Sequence, residues 1–185
     1  IDTGIKIIEV PLNSPSPIET LNRMVKFHSN AGIFGAGTVL NIEQVEEVHS
    51  TGAKLIVSPN TNVDVIKKTK ELGMISIPGC YTATEALMSL ENGADGLKFF
   101  PAFQMGSSGF QALSAILPSD IMSFAVGGID TNDIEKWLSV NITGFGLGSS
   151  LYKPGLDLMK IRKKIEELIK VFDKVSNNKL IRLNI

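Results

Sequence analysis

Two charged residues stand among neighbours that leave little room for water. Lys98 lies in "GLKFFPA" (96–102), flanked by Leu97, Phe99 and Phe100, and Glu9 lies in "IKIIEVPL" (5–12). Lysine and glutamate seldom go inside a protein unless something pairs with them or chemistry needs them. A lysine near its ordinary pKa of about 10.4 is almost wholly protonated at neutral pH. It becomes a nucleophile when it is desolvated or set beside another cation, and Leu97, Phe99 and Phe100 are suited to desolvate it. A carboxylate close by then moves protons as general acid and base. The chemistry implied is attack of an amine on a carbonyl. The plainer alternative is a structural Glu9–Lys98 ion pair, which would stabilise weakly because desolvation consumes much of the Coulomb gain.

A second group of residues points to an anion. "VGGI" (126–129) and "GLGSS" (146–150) close two apolar runs with glycine. Gly127, Gly128 and Gly148 let backbone N–H groups approach a phosphate closely, and Ser149 and Ser150 add hydroxyls. "GAGTV" (35–39) lacks the third glycine of a dinucleotide fingerprint and does not open a helix, so that reading is rejected. Metal chemistry is poorly supported. His28 and His49 fall on amphipathic segments, and Cys80 has no partner at ligand spacing. No histidine falls at a strand end to serve a serine triad.

The elements that must position these residues follow a monotonous pattern. Strand candidates cover 5–12, 32–39, 54–60, 74–79, 96–102, 122–128 and 142–149. Helix candidates cover 18–29, 41–51, 62–72, 82–92, 109–116, 131–139 and 156–172. Asn41 with Gln44, and Thr82 with Glu85, have capping-box spacing. Gly52, Gly73 and Gly93 sit where helices end. In 62–73, Val63, Ile66 and Leu72 are expected to share an apolar face while the lysines stay wet. The tail "VSNNKLIRLNI" reads as a short extra element or an arm against another subunit.

Strict alternation of strand and helix implies parallel strands joined by right-handed crossovers. The regular units favour one domain over 1–185, a (β/α)₈ TIM barrel whose first βα unit is missing from the chain, over a doubly wound sheet. Catalytic residues then lie at the C-terminal strand ends, with phosphate after the last two strands. Parity puts Glu9 on one face with Ile7, and Lys98 on one face with Phe100. An outward charge would lie beneath a helix, so both are expected to face the barrel interior.

Composition sets the outer bounds. The chain has 185 residues, a net charge of -1 and 43% hydrophobic residues, which suits a soluble domain with a sizeable core. Near-neutral charge gives no reason to expect nucleic acid or an acidic membrane as a partner. A single cysteine excludes an internal disulfide and fits a cytoplasmic home.

The segments "EVPLNSP", "GAGTVL", "LIVSPN", "IPGCYTATEA", "LKFFPA", "FAVGGI" and "GLGSSLY" resemble, in the same order, those of the 2-keto-3-deoxy-6-phosphogluconate/galactonate aldolases. The resemblance runs from residue 5 to about residue 172. It leans toward the galactonate branch, because the phosphogluconate enzymes generally carry an arginine where this chain has Asn13. It implies a trimeric class I aldolase needing no metal or cofactor. The implied reaction cleaves 2-dehydro-3-deoxy-6-phospho-D-galactonate to pyruvate and D-glyceraldehyde 3-phosphate. The same chemistry on the C4 epimer or on 4-hydroxy-2-oxoglutarate is the alternative, and a non-catalytic phosphosugar-binding barrel is a remoter one. By resemblance Lys98 forms the Schiff base and Glu9 moves protons. Thr38, Pro59 and Phe100 line the pyruvyl pocket, and Gly127, Gly128, Gly148 and Ser149 hold phosphate. An arginine on the first strand of the galactonate enzymes has no counterpart here.

Overall fold

Short β-branched runs bounded by glycine, proline and asparagine form the strands, and the amphipathic stretches between them form helices. The structure, a computed structural model, describes residues 1–153 and 155–176. Residues 177–185 of the tail lie outside the described residues. The order is β1 (Ile7–Pro11), α1 (Pro17–His28), β2 (Ile33–Gly37), α2 (Ile42–Ser50), β3 (Leu55–Val57), α3 (Val63–Glu71), β4 (Ile75–Ile77) and β5 (Gly79–Cys80). It continues with α4 (Ala83–Glu91), β6 (Gly96–Phe99), α5 (Ala102–Ser114), β7 (Met122–Val126), α6 (Ile134–Ser139), β8 (Gly144–Gly146) and α7 (Leu158–Ser176).

Three expectations need correction. The strand expected over 74–79 is two, β4 and β5, parted at Pro78, which has no N–H to give a ladder. The strand at 96 stops at Phe99, and α5 begins at Ala102 instead of 109. Gly106, at φ 66° and ψ 161°, interrupts α5 and makes its first turn read as loop. On α3 the buried face is Val65, Ile66 and Thr69. Its lysines are not all wet: Lys70 meets Asp95, and Lys68 meets Glu46 and Glu71.

The chain divides into two compact units, each with its own packing. The first comprises Ile1–Lys98 and Ile116–Ile121. Its parallel sheet runs β1-β2-β3-β4, with Glu9 opposite Gly35, Pro11 opposite Gly37 and Ala36 opposite Ile56. Val10, Ala36 and Ile56 pack in one core with Leu21 of α1, Val45 and Val48 of α2 and Val65 of α3. That defines the helix-covered face of the sheet. Because strand side chains alternate, Glu9, Gly35, Gly37 and Leu55 belong to the opposite face. The second unit comprises Phe99–Ala115 and the chain from Met122 onward. There β7 and β8 pair in parallel, Phe124 opposite Gly144 and Val126 opposite Gly146. Phe99 meets Phe110 edge-on, centroids 4.9 Å apart, and Phe110 tilts against Trp137 at 5.9 Å. Such aromatic pairs add about 0.5–1.5 kcal/mol each beyond their area burial.

Local signals agree with this plan. Thr82 and Glu85 complete a capping box on α4. Asn41 accepts from the Gln44 N–H at 2.9 Å, while the Gln44 side chain accepts from Leu40 instead of Asn41. Gly52, Gly73 and Gly93 take positive φ just past α2, α3 and α4.

Asp95 joins three parts of the first unit. Both its oxygens accept from Lys70 Nζ at 2.7 Å, and Oδ2 accepts the Ser76 N–H at 2.8 Å. Ser76 is buried, so Asp95→Ala leaves its N–H without an acceptor. The expected cost is about 1–3 kcal/mol in urea unfolding. Lys70→Met should cost less than about 1 kcal/mol, because the ion pair itself is partly solvated. The reverse order would refute this division of roles.

Candidate active site

Alternation along β6 decides which way Lys98 faces. Phe99 stacks on Phe110 of α5, on the helix side, so Lys98, its neighbour, takes the opposite side. Lys98 is only 7% exposed, and its N–H donates to the Pro78 carbonyl at 2.9 Å, which ties β6 beside the β4–β5 segment. Glu9 lies on the face of β1 away from α1–α3, and the two side chains interact electrostatically although β1 and β6 are not neighbours.

Each group is pushed toward its neutral form. Burial holds the Lys98 ammonium below the ordinary 10.5, and Glu9 opposes that shift only in part. The Glu9 carboxyl is raised above 4.5 by desolvation, with Lys98 pulling it back. Glu9 is exposed as a whole residue, while its carboxyl lies against Gly37 and is desolvated. Glu9 offers a proton acceptor. Lys98 offers an amine that deprotonates more readily than a surface lysine.

A glycine gives the Glu9 carboxyl its room. The three atoms nearest to a Cβ built on Gly37 all belong to the Glu9 carboxyl group, so the carboxyl rests where a side chain would otherwise be. A Cβ on Gly79 would run into the backbone of Pro59. Thr38 follows Gly37 with φ 59°, a left-handed conformation that is rare for a β-branched residue. Its neighbours hold it there: the Gly37 carbonyl accepts the Leu12 N–H at 2.8 Å, and the Val39 N–H donates to Val57 at 3.3 Å. Thr38 and Pro59 are both half-buried, just past the ends of β2 and β3.

In the second unit the phosphate candidates gather at one sheet edge. Val126 of β7 pairs with Gly146 of β8, so Gly127 and Gly128 leave one strand beside the point where Gly148 and Ser149 leave the other. Gly127 and Gly128 have φ of 94° and 71°. A Cβ on Gly127 would come 3.2 Å from the Phe100 ring, and one on Gly128 would come 2.7 Å from Phe103. The Gly127 carbonyl accepts the Phe103 N–H at 3.1 Å, which clasps the start of α5. Gly148 has open space around its Cα, and its carbonyl accepts the N–H groups of Leu151 and Tyr152 at 2.9 Å. Gly148 and Ser149 are exposed.

His28 and His49 are exposed in the last turns of α1 and α2. Among the described residues no three His, Cys, Asp or Glu side chains converge as a metal site. Cys80 is buried, and desolvation pushes its thiol up to about 12, which leaves it inert. Sequence reasoning missed Gly37 and Gly79. Their neighbours are distant in sequence: the place of Gly37 beside Glu9 emerges only when "FGAG" (34–37) is set in register with "IEVP" (8–11).

Parallel strands alternating with helices, with a buried lysine coupled to a carboxylate, define a TIM-barrel-class enzyme fold. The family model described as KDPG and KHG aldolase matches residues 1–167, and the chain belongs to that family. A probable 2-dehydro-3-deoxy-6-phosphogalactonate aldolase of Rhizobium meliloti is 43% identical over 175 residues, covering 95% of this chain and 82% of the relative. The solved structure described as native KDPGal has a TM-score of 0.93 and 39% identity, over 95% of this chain and 85% of that one. A KDPG aldolase of Legionella pneumophila, solved with pyruvate captured as a covalent carbinolamine, has a TM-score of 0.76 and 26% identity, over 94% and 82%. The fold is of the TIM-barrel class, as the sequence led us to expect.

The position of Lys98 has a consequence for stability. The folded protein gives up the Lys98 proton more readily than the unfolded chain, so folding is penalised while the amine is charged. The penalty is full below the folded pKa and disappears as pH rises from there through 10.5. Lys98→Met should therefore be at least as stable as the parent at pH 7, with the advantage shrinking by pH 11. Urea unfolding at both pH values checks this, and a variant weaker at pH 7 would contradict it.

Proposed function

We propose that this chain is a class I aldolase that cleaves 2-dehydro-3-deoxy-6-phospho-D-galactonate to pyruvate and D-glyceraldehyde 3-phosphate. The observation that carries the reading is the buried Lys98, held below its ordinary pKa by desolvation and interacting electrostatically with Glu9, which lies on the face of β1 away from α1–α3. Family membership and the names of the similar proteins support the substrate class.

The reaction follows from the groups present. The neutral Lys98 amine attacks the C2 ketone, giving a carbinolamine that loses water to a protonated imine. That cation accepts the electrons of the C3–C4 bond when the bond breaks, leaving an enamine. Glu9 takes the C4 hydroxyl proton through water, and the aldehyde leaves. Protonation of the enamine at C3 restores the imine, and hydrolysis frees pyruvate and Lys98. Thr38, Pro59 and Phe100 line the pyruvyl pocket in this reading. Gly127, Gly128, Gly148 and Ser149 hold the phosphate, which orients the leaving half and contributes by proximity. Direct contact between Glu9 and the ammonium would raise the lysine pKa, so transfer through water or substrate suits both groups better.

The matched family is named for KDPG and KHG, so cleavage of the C4 epimer or of 4-hydroxy-2-oxoglutarate is the second reading. The resemblance also supports a cytoplasmic homotrimer. Among the described residues no helix is long and apolar enough to cross a membrane.

Pyruvate release from each of the three substrates at matched concentration separates the readings. The galactonate compound should have the highest kcat/KM, and Lys98→Ala should lose at least about 10³-fold with it, as loss of a covalent nucleophile does. Faster turnover of the gluconate epimer would move the assignment to the second reading. Near-normal turnover by Lys98→Ala would end the class I mechanism.

A further inference from the structure

Gly37 is not glycine for the sake of its backbone. Its φ lies outside the left-handed region, so other residues are able to adopt its conformation. What it lacks is space. At Gly35 and Gly79 the atoms a Cβ would strike include the backbone of Leu55 and of Pro59, a matter of strand packing. At Gly37 all three nearest atoms belong to the Glu9 carboxyl group. The backbone there cannot slide away, because the Gly37 carbonyl holds the Leu12 N–H and the next residue is locked at φ 59°.

We propose that Gly37 is a positioning residue for Glu9: the missing side chain forms the seat that holds the carboxyl at the C-terminal end of β1, where it serves proton transfer. The proposal rests on the aldolase reading for its catalytic consequence, but the seat itself is a matter of structure. Glu9 extends from opposite Gly35 toward Gly37, two residues further along β2, so its carboxyl is carried toward the strand ends. Any side chain at 37 turns it off that line.

A double-mutant cycle tests this. Gly37→Ala should lower kcat by about 10²-fold with little change in KM, the scale expected when a catalytic group is displaced by about an ångström. In a Glu9→Gln background the same Gly37→Ala change should alter kcat less than about 2-fold, because the step it disturbs is already lost. An equal loss in both backgrounds, or no loss in the parent, would overturn the proposal. A second readout needs no turnover. With 13C-labelled glutamate, the Glu9 titration should move down toward 4.5 in Gly37→Ala as the carboxyl swings to solvent, and Lys98 is the charged group acting on it in the parent. An unmoved titration would overturn the seat even if the protein proved not to be an aldolase. Should Gly37→Ala fold poorly, adding Glu9→Asp shortens the acid and clears the new methyl group. Recovered stability would support the seat, and continued failure would place the obstruction elsewhere and refute it.

Discussion

Holding a lysine amine out of water is the constraint on which the rest depends. An ammonium loses hydration when it is buried, and the protein answers by favouring the neutral amine. Lys98 is pushed that way because it is buried, only 7% of it exposed, and desolvation is the largest influence on its amine. Glu9 softens the effect without cancelling it.

Room for the Glu9 carboxyl comes from what is absent at Gly37, while Gly35 lets β2 and β3 approach closely, since a Cβ there would strike Leu55. Within the second unit the β8 glycines, 144 and 146, make way for Phe124 and Val126 of β7. The helix-covered face shows the reverse choice, with Ala36 and Ile56 packed against α1–α3, and Phe145 edge-on to Phe172 of α7. In each of these strands the glycines give way to a group from the neighbouring strand, and the residues between them pack against helices.

Much of this was legible beforehand because it depends on short-range rules. Alternation put Glu9 on one face with Ile7 and Lys98 on one face with Phe100, the cost of a charge beneath a helix set the expectation that both face inward, and the Thr82–Glu85 spacing told where α4 starts. What escaped depended on partners distant in sequence. Nothing near Lys70 announces Asp95, twenty-five residues on, so a lysine expected in water is instead half-buried in an ion pair. The opening turn of α5 was missed because Gly106 masks a helix that begins earlier. Gly37 was read only as part of a failed nucleotide motif, since its purpose is visible only once β1 is set beside β2 in register. Thr38 was named for its resemblance, but its left-handed backbone emerges only from the hydrogen bonds on both sides of it.

The measurement closest to the central claim is reductive trapping. Incubation with pyruvate and borohydride converts any imine to a stable secondary amine, which intact-mass and peptide mass spectrometry then locate. The account predicts one pyruvyl-derived adduct per chain, on the peptide carrying Lys98, and none in Lys98→Met. No adduct, or an adduct seated on another lysine, would contradict it.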